Sequence, residues 1–377
     1  METRKLLFSL LAEEVFGTEC KKNVDEGSAE RLYSMAKAHD LAHLLASPFE
    51  RRGISHAGCE KQEMTAIYRY ELSRHELASI CRVLTKASVP HMLLKGSVIR
   101  DLYPKPYLRT SCDIDLLVRE GDLTQAAEVL VKELGYTAEK DPAFHDLSLH
   151  SKSGVHLELH FSLKEHSLPM DEVLETVWDH AVLREGMTYV QDTEFLIFHT
   201  VAHMAYHFSH GGCGIRPFMD LRLLEQRATF DKEELLALCR KAGLEAFYRN
   251  ALLLGEVWFG NASHTALTAK MEAYLLRGGV YGSTENHVAL ERQRAGGKLR
   301  YAFRRIWMPK EQLRLRYPKM KKSPLLIPWY QIRRWAEIIF RGRLKHAADE
   351  MRANREISYK ASAATDGMMQ EIGRAHV

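Results

Sequence analysis

The chain has 377 residues, 46% hydrophobic and 27% charged, the composition of a soluble globular protein with room for two or three domains. No apolar run approaches the roughly 18 residues that cross a bilayer. Six scattered cysteines without a CxxC pair argue against a disulfide framework and for a reduced, cytoplasmic protein. The formal net charge of +4 conceals an asymmetry: residues 292–346 carry 17 Lys or Arg against two acids, Glu311 and Glu337, so the remainder is acidic.

Residues 1–88 read as a helical region. In RKLLFSLLAEEVF, Leu6, Leu7, Leu10 and Leu11 fall at helical spacing and two Glu follow at once, a pattern of an amphipathic helix rather than a signal peptide. Residues 61–87 carry apolar side chains at 64, 67, 68, 72, 77, 80, 83 and 84, which predicts a helix with a charged outer face, ended by Ser88-Val89-Pro90. A second unit, 89–190, follows. HMLL (91–94) is a short buried strand, and Lys95-Gly96-Ser97 turns into a short helix at Val98 to Leu102. Pro104 and Pro106 impose an extended linker. DIDLLV (113–118) is the second strand. LTQAAEVLVKELG is a helix closed by Gly135 as C-cap. FHDLSLH and VHLELHF flank Ser151-Lys152-Ser153-Gly154 as a hairpin. From about 171 to 290 the pattern is helical again, with 191–290 forming a helical domain. Residues 291–370 contain the basic segment, with Trp307, Trp329 and Trp335 and prolines at 309, 318, 324 and 328. Short helices joined by bends fit it, either packed on the acidic body or serving as a nucleic-acid or membrane-surface patch. The stretch EIGRAHV (371–377) matches the translation of a common sequencing adapter and is expected to be foreign to the protein.

Asp113 and Asp115 share one strand face and repel each other unless something positive lies between them. A divalent cation is the first candidate. In the second hairpin arm Glu158 shares a face with His156 and His160. Mg²⁺ prefers oxygen ligands, and two carboxylates on one strand with a third from a neighbour supply such a platform. The strand, Gly96-Ser97 and helix order supplies backbone N–H groups for phosphate oxygens.

This order resembles the polymerase-β-like nucleotidyltransferase superfamily. More closely, LLKGSVIRDLYP, DIDLLV and VHLELHFSL resemble an uncharacterised bacterial nucleotidyltransferase family marked by Leu-Lys-Gly, Asp-Ile-Asp-Leu-Leu-Val and Glu-Leu-His. The resemblance spans about residues 30–345 and includes a helical part, 203–224. It implies an α+β fold: a small mixed sheet with helices, flanked by N-terminal helices and a C-terminal helical domain. It also implies that Asp113, Asp115 and Glu158 ligate two Mg²⁺ ions. Glu158 would further help deprotonate the acceptor. Gly96 and Ser97 would contact the β- and γ-phosphates, with Lys95 and Arg109 as cationic partners of the triphosphate or the carboxylates. Two departures touch the phosphate assignment: Lys95 stands just before Gly96-Ser97 where the superfamily has a hydrophobic residue, and the gap from Ser97 to Asp113 is long.

Plainer readings stand beside these. The Asp pair could be a solvated edge, Glu158 could pair with Arg109, and Lys95 could be a surface lysine. Arg100 and Asp101 read as a structural pair. His199, His203 and His207, four residues apart, read as packed helix histidines without a Cys or Glu at zinc-ligand spacing. Arg216 and Asp220 would fix a helix turn or line the acceptor side of a cleft. The implied reaction is Mg²⁺-dependent transfer of a nucleoside monophosphate from an NTP, ATP being the commonest donor, to a hydroxyl of a protein, a saccharide or peptide intermediate, or an RNA. The rivals are a toxin–antitoxin-type AMP transferase, a catalytically degenerate nucleotide- or partner-binding module, and an RNA-binding adaptor using 292–346.

Overall fold

A computed structural model describes residues 2–139, 145–165, 168–279, 327–340 and 367–372, with isolated positions between 288 and 313. The first 86 residues are helical: α1 (Glu2–Phe16), α2 (Glu26–Ala38), α3 (Ala46–Glu50) and the long α4 (Ala57–Lys86). Asp25 caps α2 by accepting from Ser28 N, and His56 caps α4 by accepting from Cys59 N, so each start satisfies an otherwise orphaned donor. The central unit runs β1 (His91–Leu93), α5 (Lys95–Ile99), β2 (Asp113–Val118), α6 (Leu123–Leu134), β3 (Thr137–Ala138), β4 (Asp146–His150), β5 (His156–His160) and α7 (Leu168–Leu174). Next come β6 (Ala181–Glu185), β7 (Thr188–Gln191), α8 (Thr193–Ser209), α9 (Arg216–Arg227), α10 (Lys232–Lys241), α11 (Glu245–Phe259) and α12 (Ala266–Gly278). Gly135 closes α6 at φ 69°, the left-handed position that a Cβ would strain.

The fold is α+β with a mixed seven-stranded sheet in the order β3-β4-β5-β2-β1-β7-β6. β2 is antiparallel to β1 and parallel to β5, and β7 runs parallel to β1. Two parts of this differ from expectation. The stretch 181–191, read as helical, forms β6 and β7. The β6 strand sits at the sheet edge with Val182 48% and Leu183 57% exposed, so it lacks the in–out alternation that marks a strand. The short helix expected at Val98 begins at Lys95, because Leu94 already provides an extended residue before the turn.

The sheet separates two cores. On one face Leu93, Ile114, Leu116, Val118, Leu157 and Leu159 pack against Ile80 and Leu84 of α4 and Ala126 and Leu130 of α6. On the other, Met92, Leu94 and Leu117 join a larger core with Phe195 and Phe198 of α8. That core reaches both ends of the region 2–279: Phe8 of α1 stacks on Trp258 of α11 with ring centroids 4.8 Å apart. Each fully buried Leu or Phe contributes about 1.5–3 kcal/mol, so helices remote in sequence hold one another in place.

Of the basic segment, the helix Ile327–Phe340 is described, with Trp329 and Ile332 exposed and Gln331 and Arg334 buried. Most of 292–346 lies outside the described residues. At the C-terminal end Glu371 pairs with Lys270 at 2.7 Å and Ile372 is buried; 373–377 lie outside the described residues. No described helix is long and apolar enough to cross a membrane, and the six cysteines form no disulfide with one another.

Candidate active site

Strand register builds the site. β2 and β5 pair in parallel with Asp113 opposite His156, Asp115 opposite Glu158 and Leu117 opposite His160. Side chains alternate along a strand. Ile114, Leu116, Val118, Leu157 and Leu159 therefore enter the α4–α6 core, while Asp113, Asp115, His156, Glu158 and His160 emerge together on the α8 side, where Leu117 joins the larger core. Ligand atoms of Asp113, His156 and Glu158 lie within 4.8 Å of one another, as do those of Asp115, Glu158 and His160.

The charges in this cluster offset one another. Burial and the neighbouring Asp115 carboxylate push the Asp113 carboxyl up, against a hydrogen bond from Ser111 Oγ at 2.8 Å. Burial alone would raise Asp115 too, but the His160 ring, 3.4 Å away, and the Lys95 ammonium hold it well below the usual carboxylate range. Burial opposes a charge on His160, yet Asp115 and Glu158 at 3.4 and 3.5 Å push it up to about 9. An imidazolium thus sits among the carboxylates. Glu158 pairs with His156 and His160 and not with Arg109.

The turn into α5 faces the cluster. A Cβ on Gly96 would stand 3.4 Å from Arg109 Nη1 and 3.8 Å from Asp115 Oδ2, so the backbone reaches the carboxylates closely because no side chain intervenes. Lys95, Gly96, Arg109, Asp113, Asp115 and Glu158 line one cavity of about 380 Å³. Ser97 does not: it is buried, and its N–H donates to Leu94 O at 3.0 Å. Lys95 makes no ion pair among the described residues.

Arg109 lines the cavity, but its charge is matched elsewhere. Its Nε and Nη2 donate to Asp220 at 2.8–3.1 Å, Tyr103 OH donates to the same carboxylate at 2.7 Å, and Nη1 donates to Gly96 O at 3.3 Å. Arg100 Nε also donates to Gly96 O, at 2.9 Å. The expected Arg100–Asp101 pair does not form; Asp101 lies 3.9 Å from Arg184. Arg216 Nη1 donates to Thr110 O at 2.8 Å and its side chain lines the cavity. Asp220 and Arg216 of α9 therefore grip the 103–110 segment that leads into β2.

The far wall is α8. His199 hydrogen-bonds the Gln191 side chain, and His203 Nδ1 meets Glu165 Oε1 at 3.1 Å. These are partnered helix histidines, yet His199, His203 and His207 all line the same cavity as the carboxylates, with Tyr206 and Glu165. Burial pushes His199 and His207 down. The sequence reading did not place Ser111, Glu165 or the histidines in the site; the four-residue histidine spacing was the only signal, and nothing local tied it to β2.

A family model for an uncharacterised nucleotidyltransferase matches residues 25–260, from the N-cap of α2 to the end of α11. The chain belongs to this nucleotidyltransferase family. The match takes in every residue named in the cavity, and the acidic cluster is a possible metal-binding group. No curated protein and no solved structure matches the chain.

Proposed function

We propose that this protein is a Mg²⁺-dependent nucleotidyltransferase with a polymerase-β-like catalytic unit, acting in the cytoplasm. It moves a nucleoside monophosphate from an NTP, ATP first among them, to a hydroxyl acceptor with release of pyrophosphate. The observation that carries this is the parallel β2–β5 register, which gathers Asp113, Asp115 and Glu158 on one face beside the Gly96 turn.

The donor set fits a divalent cation: Glu158 lies close to Asp113 in one group with His156 and to Asp115 in another with His160, and the His160 ring and Lys95 offset the negative charge of Asp115. Asp113, Asp115 and Glu158 would hold it. A divalent ion there neutralises triphosphate charge and orients the reacting oxygens. The chain's own groups supply the rest. Ser111 Oγ donates to Asp113 Oδ1 and fixes that carboxylate, which lines the cavity. Lys95 offers an ammonium to phosphate oxygens. Gly96 lets the backbone approach without a side chain, and the Arg109–Asp220 pair holds that turn through Gly96 O. The 380 Å³ cavity lies at the lower end of small-ligand sites.

The test incubates protein with MgCl₂, α-labelled NTPs and a host lysate, beside Asp113→Asn and Asp115→Asn. Label transferred by the wild type and not by either variant is expected; equal transfer by all three removes the metal assignment.

A further inference from the structure

We infer that His203, held by Glu165, is the group that takes the proton from the acceptor hydroxyl; this rests on the nucleotidyl-transfer reading above. The carboxylates on the β2–β5 wall are engaged: Asp113 accepts from Ser111, Asp115 from His160, and Glu158 lies between His156 and His160. The opposite wall offers a free base. His203 Nδ1 lies 3.1 Å from Glu165 Oε1. A carboxylate accepting Nδ1–H selects the tautomer whose Nε2 lone pair is available. That Nε2 has no hydrogen-bond partner among the described residues, and 34% of the side chain is open. Glu165 is itself set in place, because its backbone N–H donates to Asp171 Oδ1 at 2.8 Å. Both side chains line the carboxylate cavity.

The surroundings keep this imidazole neutral. Partial withdrawal from water and the positive charge of Lys95 push His203 down, with smaller contributions from His207 and His160, against the opposing pull of Asp115. His199 and His207 neighbour it on α8, Glu165 reaches it from the loop after β5, and Lys95, Asp115 and His160 face it across the cavity. A neutral imidazole near pH 7 is a competent base. In the step, the acceptor O–H bond breaks and the proton goes to His203 Nε2. The freed oxygen bonds to the α-phosphorus. The bond from the α-phosphorus to the bridging oxygen breaks, and its electron pair leaves on pyrophosphate. His203 then returns the proton to solvent.

The experiment uses the full chain with Mg²⁺ and α-labelled ATP, water and glycerol serving as hydroxyl donors, and follows pyrophosphate and labelled product. His203→Gln retains a donor to Glu165 and is expected to lose about 10²–10⁴-fold in kcat. Its calorimetric affinity for a non-hydrolysable ATP analogue is expected to stay within about twofold of wild type, as general-base loss leaves ground-state binding alone. The rising limb of the wild-type pH profile disappears in this variant, and imidazole restores part of the rate to His203→Ala. A His203→Gln enzyme with unaltered kcat and pH profile overturns the assignment, as does a slow His203→Ala enzyme that imidazole leaves slow. Asp113→Asn separates the two ideas. If it is inactive while His203→Gln is fully active, only the proton acceptor is wrong. If it is as active as wild type, the metal assignment is wrong; if wild type releases no pyrophosphate, nucleotidyl transfer itself is wrong.

Discussion

The Arg109–Asp220 pair is the place where stability and site geometry can be pulled apart. Both side chains are almost dry, 7% and 4% exposed, and they join through two guanidinium nitrogens with Tyr103 OH as a third donor. In Asp220→Asn the shape survives but the buried cation loses its counter-charge. Breaking one side of such a pair costs about 3–5 kcal/mol. Replacing both, as Arg109→Met with Asp220→Leu, removes the uncompensated charge and leaves Tyr103 OH as the orphan, a residual cost of about 1–3 kcal/mol. Adding Tyr103→Phe removes that too, so the triple variant should approach wild-type stability. Urea unfolding followed by circular dichroism measures all three. Activity is expected to take the opposite course: the triple variant stays impaired because Gly96 O has lost Arg109 Nη1 and only Arg100 still holds the turn. An Asp220→Asn protein with an unchanged urea midpoint would refute the reasoning, and so would a triple variant less stable than the single one.

Three further outcomes follow from the same geometry. Asp115→Asn and Glu158→Gln should each lower metal-dependent transfer by at least about 10²-fold, since electrostatic groups at a developing charge are typically worth that much; isothermal titration with Mn²⁺ should show weakened binding in both. Gly96→Ala puts a Cβ 3.4 Å from Arg109 Nη1; it should cost no more than about 1–3 kcal/mol of stability while raising KM for the NTP, and an unchanged KM argues that the nucleotide does not pass the turn. His39, 4% exposed at the end of α2, is pushed down to about 4 by burial. A histidine neutral when folded and protonated when unfolded stabilises fully above its ordinary pKa of 6.5. That contribution, about 3 kcal/mol, is lost as pH falls from 6.5 to 4. His39→Leu should flatten the melting-temperature profile across that window, and an unaltered profile counts against burial as the cause.

What could be read from the chain alone follows the range of the interaction involved. DIDLLV and HLELH announced themselves because a strand repeats every two residues and both segments alternate acid or histidine with Leu. Their partnership in the acidic face needed only that the two strands be neighbours in register, which the structure satisfies. The α6 cap at Gly135 was equally local. The family resemblance implied Arg109 as a cationic partner of the triphosphate or the carboxylates; its partner in the structure, Asp220, comes from α9, far along the sequence, and no local pattern points to it. β6 escaped notice because an exposed edge strand carries no hydrophobic rhythm, and β7, inside the sheet between β1 and β6, is only 4 residues long. The α8 histidines were visible as a spacing, but whether a helix face meets a core or a cavity is decided by what packs opposite, and that is a tertiary fact.

The dependence of this site on register has a consequence for how it can change. Asp113 and Asp115 share a face with Glu158 only while β2 and β5 keep their alignment, and the same alignment buries Ile114, Leu116, Leu157 and Leu159 on the opposite face. A slip of either strand by one residue would turn its two apolar side chains toward the cavity and its own acidic side chains into the core. Exposing each such side chain costs about 1.5–3 kcal/mol, before any charge for burying carboxylates. The cost of error at the acidic face is therefore levied by the hydrophobic core behind it. Substitutions on the core face, such as Leu116→Asp, should abolish the site by loss of the fold, whereas exchanges among the acids should leave the fold intact and remove the chemistry. The β2–β5 pair thus separates folding from function by face, one residue apart along the same strand.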